Sequence, residues 1–410
     1  MTDIAPTSWP GIDRAPRTPL KARLAKAILR PTVDRMPVRL TFPEGSVWGA
    51  GNGEAPELAV VRPAAFFSRL GHDTKIGFGE AYMAGDWTTG RGTDLADLLS
   101  PFAERMASIV PPSLQRFRVF VDKRLPHHER NSLTGARQNI ERHYDLSNEL
   151  FAQFLDPTMT YSAALFAADD DLQTAQLRKI DAILDDAHVT EGTRVLEIGS
   201  GWGALAIRAA QRGAKVTTIT ISQEQAALAR ERFAEAGVYV DLQLVDYREA
   251  TGQYDAIVSV EMIEAVGEEY WPTYFSTIEK LLAPGGRVAI QAITMEHHRY
   301  LATRRSYGWI QKYIFPGGLI PSLEAIDQTL ASHTKLVVTG KRPLGDHYAR
   351  TLRLWRERFN TNWPGINRQG FDETFRRMWE FYLAYCEAGF GTGYINVYQL
   401  QMTRPAGKDA

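Results

Sequence analysis

One cysteine, Cys386, in 410 residues excludes an intramolecular disulfide and a cysteine-built zinc site. No apolar run approaches the 18 or so residues of a membrane-spanning helix, and the start Met1-Thr2-Asp3 lacks the cationic and apolar segments of a secretory signal. An excess of one charge sign is also missing: 47 Lys and Arg stand against 48 Asp and Glu, which gives little footing for nucleic-acid binding. The expectation is a cytoplasmic protein, long enough for two domains.

The charge that is present is uneven. Residues 1–45 carry eight Lys/Arg against four Asp/Glu, and residues 112–142 carry seven against three. Leu20–Arg30 sets Leu20, Leu24, Ala27 and Ile28 on one helical stripe with Lys and Arg elsewhere. That pattern suits either a packed helix with a solvated face or one lying on an anionic membrane. Residues 1–18 read as a flexible tail, 19–111 as a small α+β domain with strand-like runs at Val38–Phe42 and Leu58–Arg62, and 112–135 as a linker. His127 and His128 fall in that linker with no third ligand nearby in sequence, so no metal site is expected.

From 136 to 410 the pattern is regular. Apolar runs near Arg194–Ile198, Lys215–Ile221, Val240–Val245, Asp255–Val260, Arg287–Ile293 and Lys335–Thr339 alternate with helical segments, and Ile395–Met402 alternates apolar and polar residues. This predicts a doubly wound, mostly parallel seven-stranded α/β sheet closed by a late antiparallel strand.

The first of those strands ends in Glu197-Ile198-Gly199-Ser200-Gly201-Trp202-Gly203, a turn that brings backbone close to a ligand. Gly199, Gly201 and Ala204 also fit a dinucleotide fingerprint, so an NAD(P)-dependent oxidoreductase is the first rival. Two features oppose it. Glu197 would repel a pyrophosphate at the helix N-terminus, and the second strand ends in Thr220-Ile221-Ser222 rather than in a ribose-binding acid. The turn points to adenosylmethionine.

Wider segments carry a family resemblance: Gly77–Trp87, His143–Asn148, Met159–Ser162 and Lys312–Gly318. Together they resemble the cyclopropane-fatty-acyl-phospholipid synthases and mycolic acid cyclopropane synthases, most closely the actinobacterial 10-methyl (tuberculostearic) branch. The resemblance implies a methyltransferase sheet and cofactor contacts at Tyr161, Ser162, Glu197, Gly199, Gly201, Gly203, Thr220, Ile221, Gln225, Asp246 and Tyr247. Taken singly, each of these is a turn or cap residue.

The implied reaction moves a methyl group from S-adenosylmethionine to the C=C bond of an unsaturated acyl chain, oleoyl in a phospholipid being the expected acceptor. An alkene that captures a methyl cation becomes a carbocation, so the pocket should be apolar and aromatic. The resemblance supplies Tyr144, Tyr161 and Phe315 for that lining. It also implies a bound bicarbonate as base, held by Glu264 and Tyr348. Two family positions differ: Ala163 stands for a cysteine, and Gln291 for a histidine. Gln291 can donate to an oxyanion but cannot relay a proton near neutral pH. Glu261 reads as a surface or cap residue.

Proton loss before a hydride shift closes a cyclopropane ring; proton loss after it leaves an exocyclic methylene, the outcome expected of the 10-methyl branch. The resemblance further implies unsaturated phospholipid as partner and peripheral contact with an anionic membrane, with residues 19–111 engaging lipid or supporting catalysis and Gly77–Trp87 serving that role or simple packing. It admits a homodimer and a separate reductase acting on a methylene product. The altered Ala163 and Gln291 also motivate a second rival, a non-catalytic lipid-binding protein.

Overall fold

The computed structural model describes residues 12–105 and 147–405. The linker at 112–135, with His127 and His128, lies outside the described residues, as do most of the tail and Tyr144. The chain forms two compact units. One gathers residues 12–105, 306–314 and 352–394; the other gathers 147–305, 315–351 and 395–405. Order along the chain would put 306–314 and 352–394 in the second domain. They belong to the first because helix Glu373–Gly391 buries Phe381 against Phe78, Tyr82 and Trp87, an aromatic contact that periodicity does not reveal.

In the first unit, strands β1 (Arg39–Thr41), β2 (Val47–Trp48), β3 (Glu57–Val60) and β4 (Trp87–Thr89) form a sheet in the order β2-β1-β3-β4. The segment Gly77–Trp87 packs tightly. A Cβ at Gly77 would meet the Arg69 carbonyl oxygen at 2.2 Å, and one at Gly79 the Trp309 ring at 2.6 Å. Trp87 is fully buried, and its Nε1 donates to the Phe78 carbonyl at 3.0 Å. The buried Asp86 accepts from Arg69 Nε at 2.8 Å.

The second unit holds β5 (Arg194–Ile198), β6 (Lys215–Thr220), β7 (Asp241–Leu244), β8 (Tyr254–Val260), β9 (Leu282–Met295), β10 (Val337–Pro343) and β11 (Ile395–Thr403), ordered β10-β11-β9-β8-β5-β6-β7. The first five strands pair in parallel, and β11 runs antiparallel between β9 and β10. Alternate side chains feed opposite layers. Leu196, Ile198, Ile257, Val288 and Ile290 join Trp271, Phe275 and Ile278 on one face. Val195, Ala256, Val258 and Ala289 join Ile180, Ile183, Leu205 and Phe233 on the other.

This doubly wound α/β sheet is the architecture the sequence predicts. It brings the carboxyl ends of β5, β6 and β8 together, where open α/β sheets place their ligands.

Candidate active site

The turn after β5 has positive φ at Gly199 (96°), Gly201 (49°) and Gly203 (87°). Gly203 is required twice over: its φ is left-handed, and a Cβ there would strike the Phe233 ring at 2.6 Å. At Gly201 a Cβ would find nothing within 4 Å, so the turn presents open backbone as a cofactor cradle needs. The helix Ala204–Gln211 starts directly behind it.

Glu197 is buried beneath the turn. Its Oε2 lies 2.5 Å from Thr218 Oγ1, which is 2.7 Å from Ser200 Oγ. Burial raises its carboxyl to about 8, against the lowering effects of the Thr218 hydrogen bond and the Lys179 charge. After β6, Thr220 Oγ1 lies 3.0 Å from Gln225 Oε1 and accepts from Ser222 N at 3.1 Å. Those buried neutral groups stand where a dinucleotide site would present an acid. Ile221 adjoins them in the same turn.

Beyond β7, both carboxylate oxygens of Asp246 are taken by Arg248, at 2.7 Å each. The Tyr247 hydroxyl is buried without a hydrogen-bond partner among the described residues. Its ring packs edge-on against Tyr274.

Tyr161 and Ser162 come from a different segment, and Phe151 packs against both Tyr161 and Trp202 of the glycine turn. The Tyr161 ring meets Phe151 and Phe154 edge-on, and Ser162 Oγ accepts from the buried Lys179 Nζ at 2.7 Å. Burial lowers the Lys179 ammonium to about 8, while the charges of Glu261, Asp156 and Glu197 act to raise it. Phe315 is half-buried, with its carbonyl accepting from Gly318 N.

The largest correction concerns Glu261. It is no surface or cap residue: it lies at the carboxyl end of β8, partly buried, and its carboxylate holds three donors. Ala163 N donates to Oε1 at 2.9 Å, Gln291 Nε2 to Oε1 at 2.7 Å, and Tyr348 Oη to Oε2 at 2.8 Å. Burial raises its carboxyl, and the Ala163 N–H, Gln291, Lys179 and Tyr348 lower it. Its φ of 49° is left-handed, a conformation that costs a non-glycine residue about 1 kcal/mol or more.

Glu264 does not share Tyr348 or Gln291. Its Oε1 accepts from Ile293 N, and its Oε2 is buried with no partner among the described residues. Burial and the charge of Glu261 raise its carboxyl to about 8. The structure therefore unites positions 163, 291 and 348 around Glu261, the carboxylate that looks peripheral in the sequence.

A carboxylate with three donors on about four acceptor positions keeps room on Oε2 for one proton. Among the described residues no group of three or more His, Cys, Asp or Glu is placed to hold a metal ion.

A family model described as mycolic acid cyclopropane synthetase matches residues 131–400. The chain belongs to that family. It is an adenosylmethionine-dependent methyltransferase, as relatives across its length agree. Tuberculostearic acid methyltransferase UfaA1 of Mycobacterium tuberculosis is 50% identical over 97% of this chain and 95% of its own. Cyclopropane-fatty-acyl-phospholipid synthase of Escherichia coli is 35% identical over 86% of this chain and 89% of its own. The crystal structure of mycolic acid cyclopropane synthase CmaA1 complexed with SAH and CTAB matches with a TM-score of 0.60 at 31% identity, covering 68% of this chain and 98% of that one. This family membership removes the oxidoreductase rival.

Sequence reasoning misses two residues that the structure brings to this candidate site. Glu261 ends a central strand beside β5, a position with a functional prior in any such sheet. Lys179 lies one residue before Ile180 on the buried face of helix Leu172–Asp186; a lysine on an apolar helical face is the signal that could have found it.

Proposed function

We propose that this methyltransferase methylates the double bond of an unsaturated fatty acyl chain in a phospholipid and uses Glu261 as the base that completes the reaction, giving a 10-methylene acyl product. The observation that carries the reading is the set of three donors on the Glu261 carboxylate. The resemblance assigns a bicarbonate to Glu264 and Tyr348, with a histidine in the family where Gln291 stands; here a carboxylate of the chain itself takes the hydrogen bonds of Tyr348 and Gln291, so a bicarbonate is not needed.

The glycine turn, Glu197, Thr220 and Gln225 fit an adenosine cofactor by neutral hydrogen bonding and open backbone. Adenosylmethionine, when bound there, supplies an electrophilic methyl group. The alkene π pair would form the new C–C bond as the methyl carbon's bond to sulfur breaks, its electron pair staying on the departing sulfur, and a cation would be left on the neighbouring carbon. Tyr161 and Phe315 would face that charge with aromatic surface, which stabilises a cation by about 2 kcal/mol when desolvated and does not react with it. A 1,2-hydride shift moves the cation to the methyl-bearing carbon. Glu261 then takes a proton from the new methyl group, and the C–H pair closes the exocyclic C=C bond. The 50% identity to a tuberculostearic acid methyltransferase supports this order over ring closure.

Lipid analysis by mass spectrometry and NMR in a host containing oleate tests the product. Vinylic methylene protons are expected; a cyclopropane signal without them overturns the order of steps, and cofactor binding without lipid-dependent adenosylhomocysteine release overturns the enzyme reading.

Access to an esterified acyl chain calls for docking on the bilayer. Helix Pro19–Val33 supports this: Leu20, Leu24 and Ile28 are 78%, 61% and 43% exposed. Lys21, Arg23, Lys26 and Arg30 accompany them, with no acidic residue in the helix.

A further inference from the structure

The β9–β11–β10 side of the sheet carries a row of polar side chains that begins at Gln291, a donor to Glu261, and runs on through Gln399 and Arg342, which the proposed chemistry does not itself use. Gln291 on β9 and Gln399 on β11 are direct cross-strand partners, and so are Gln399 and Arg342 on β10. Glu261 is tied to the same row, its N–H donating to the Gln291 carbonyl at 2.7 Å. Gln291 and Gln399 are almost fully buried, in a sheet otherwise filled by Val288, Ile290, Leu400 and Met402.

Their hydrogen bonds run in one direction. Arg342 Nη1 donates to Gln399 Oε1 at 2.5 Å. Gln399 Nε2 donates to Gln291 Oε1 at 3.2 Å and to the Lys179 carbonyl at 3.1 Å. Gln291 Nε2 donates to Glu261 Oε1 at 2.7 Å. A guanidinium has donors only, and an amide has one donor end and one acceptor end. The Ala163 carbonyl also accepts from Gln291 Nε2, at 3.4 Å, so a donor-only group at the start of the row and acceptors along it and at its end favour the same orientation of each amide between them.

Arg342 is itself fixed. It forks onto Asp186 at 2.6 and 3.0 Å, and Gln401 Nε2 donates to the same carboxylate at 2.8 Å.

We propose that Arg342 is a positioning residue: through Gln399 it locks Gln291 with its N–H end toward Glu261, so that the reactive carboxylate always meets a donor there and never an amide oxygen. This rests on the reading of Glu261 as base. A reversed Gln291 would put an oxygen lone pair against the carboxylate and favour its protonated form.

The test uses the full chain with oleoyl phospholipid vesicles and compares R342M, R342K and Q399M. Each is measured for kcat, for KM of adenosylmethionine, and for the acid limb of the pH profile. Side-chain amide NMR of 15N-glutamine-labelled protein supplies a readout independent of catalysis, with the Gln291 pair assigned by its loss in Q291M.

R342M and Q399M should lower kcat about tenfold or more, as expected for disturbing a hydrogen bond to a charged group, with KM for adenosylmethionine unchanged and the acid limb moved to higher pH. The Gln291 amide pair should shift or broaden in both variants. R342K, which keeps a donor, should restore kcat and the limb. Wild-type kcat, limb and Gln291 signals in R342M and Q399M would overturn the proposal, as would an equal loss in R342K. E261Q separates the two ideas: if it keeps wild-type kcat the base assignment fails, and the amide signals alone then judge the row.

Discussion

Tyr348 donates its hydroxyl to Glu261 Oε2 at 2.8 Å, joining helix Gly345–Thr361 to the end of β8 across 87 positions of sequence. Oε2 is the oxygen left with an open lone pair, so Tyr348 both orients it and favours its ionised form. Tyr348→Phe removes that hydrogen bond while leaving the ring. A hydrogen bond to a charged group contributes about 1.5–3 kcal/mol, so kcat should fall about tenfold to a hundredfold. The acid limb should rise, because the charged form of Glu261 loses support. An unchanged limb in steady-state pH profiles would place Tyr348 outside the base's control.

Glu261 itself admits a sharper test. Glu261→Gln keeps size and removes basicity, and methyl transfer to lipid should become undetectable while adenosylmethionine still binds by calorimetry. Glu261→Gly should also be inactive, yet it suits the left-handed φ of 49° and leaves the Ala163, Gln291 and Tyr348 donors facing a vacated space. Added bicarbonate or formate should restore part of its activity. The wild-type enzyme should work equally well in bicarbonate-depleted buffer; a requirement for bicarbonate there would show that Glu261 is not the base.

These tests centre on a residue that looks unimportant in the sequence, and the reason is physical. The apolar run through Val258 and Val260 marks β8, and the glycines after β5 mark the cofactor turn, because both depend on local periodicity and backbone freedom. What Glu261 touches depends on non-local pairing: position 163 comes from a segment 98 residues earlier, 291 from the neighbouring strand and 348 from a later helix. The resemblance draws attention to 163, 291 and 348 but centres the base on Glu264. The fold alone, with Glu261 held at a left-handed φ of 49° at the end of β8, decides which carboxylate meets them.

Glu264 should reveal itself in stability. Its carboxyl lies at about 8 in the folded protein, against an ordinary value near 4.5 when unfolded. Between those values the folded chain holds a proton that the unfolded chain has released, so stability should fall as pH rises from about 5 to about 8. Glu264→Gln fixes the neutral form and should flatten that part of the curve. Tm measured against pH for both proteins checks this; parallel curves would show that Glu264 ionises in the folded state as it does in water.

The helix Pro19–Val33 makes the membrane reading testable by charge and by apolar contact separately. Ala22, Ala25 and Leu29 lie on its less exposed face, whereas Leu20, Leu24 and Ile28 turn outward among four cations. An anionic surface would draw in the cations, and the outward stripe would then enter the interface. Vesicle sedimentation should show binding to anionic but not zwitterionic membranes, weakening between about 0.1 and 1 M salt as the Debye length falls from about 10 to about 3 Å. Leu24→Glu places an acid in the centre of the stripe without touching the packed face. It should abolish sedimentation with vesicles and lower turnover on membrane-borne lipid, while turnover on the same lipid dispersed in detergent stays at the wild-type rate. An equal loss in both assays would instead mark a folding defect. Salt-insensitive binding would remove the cations from the account.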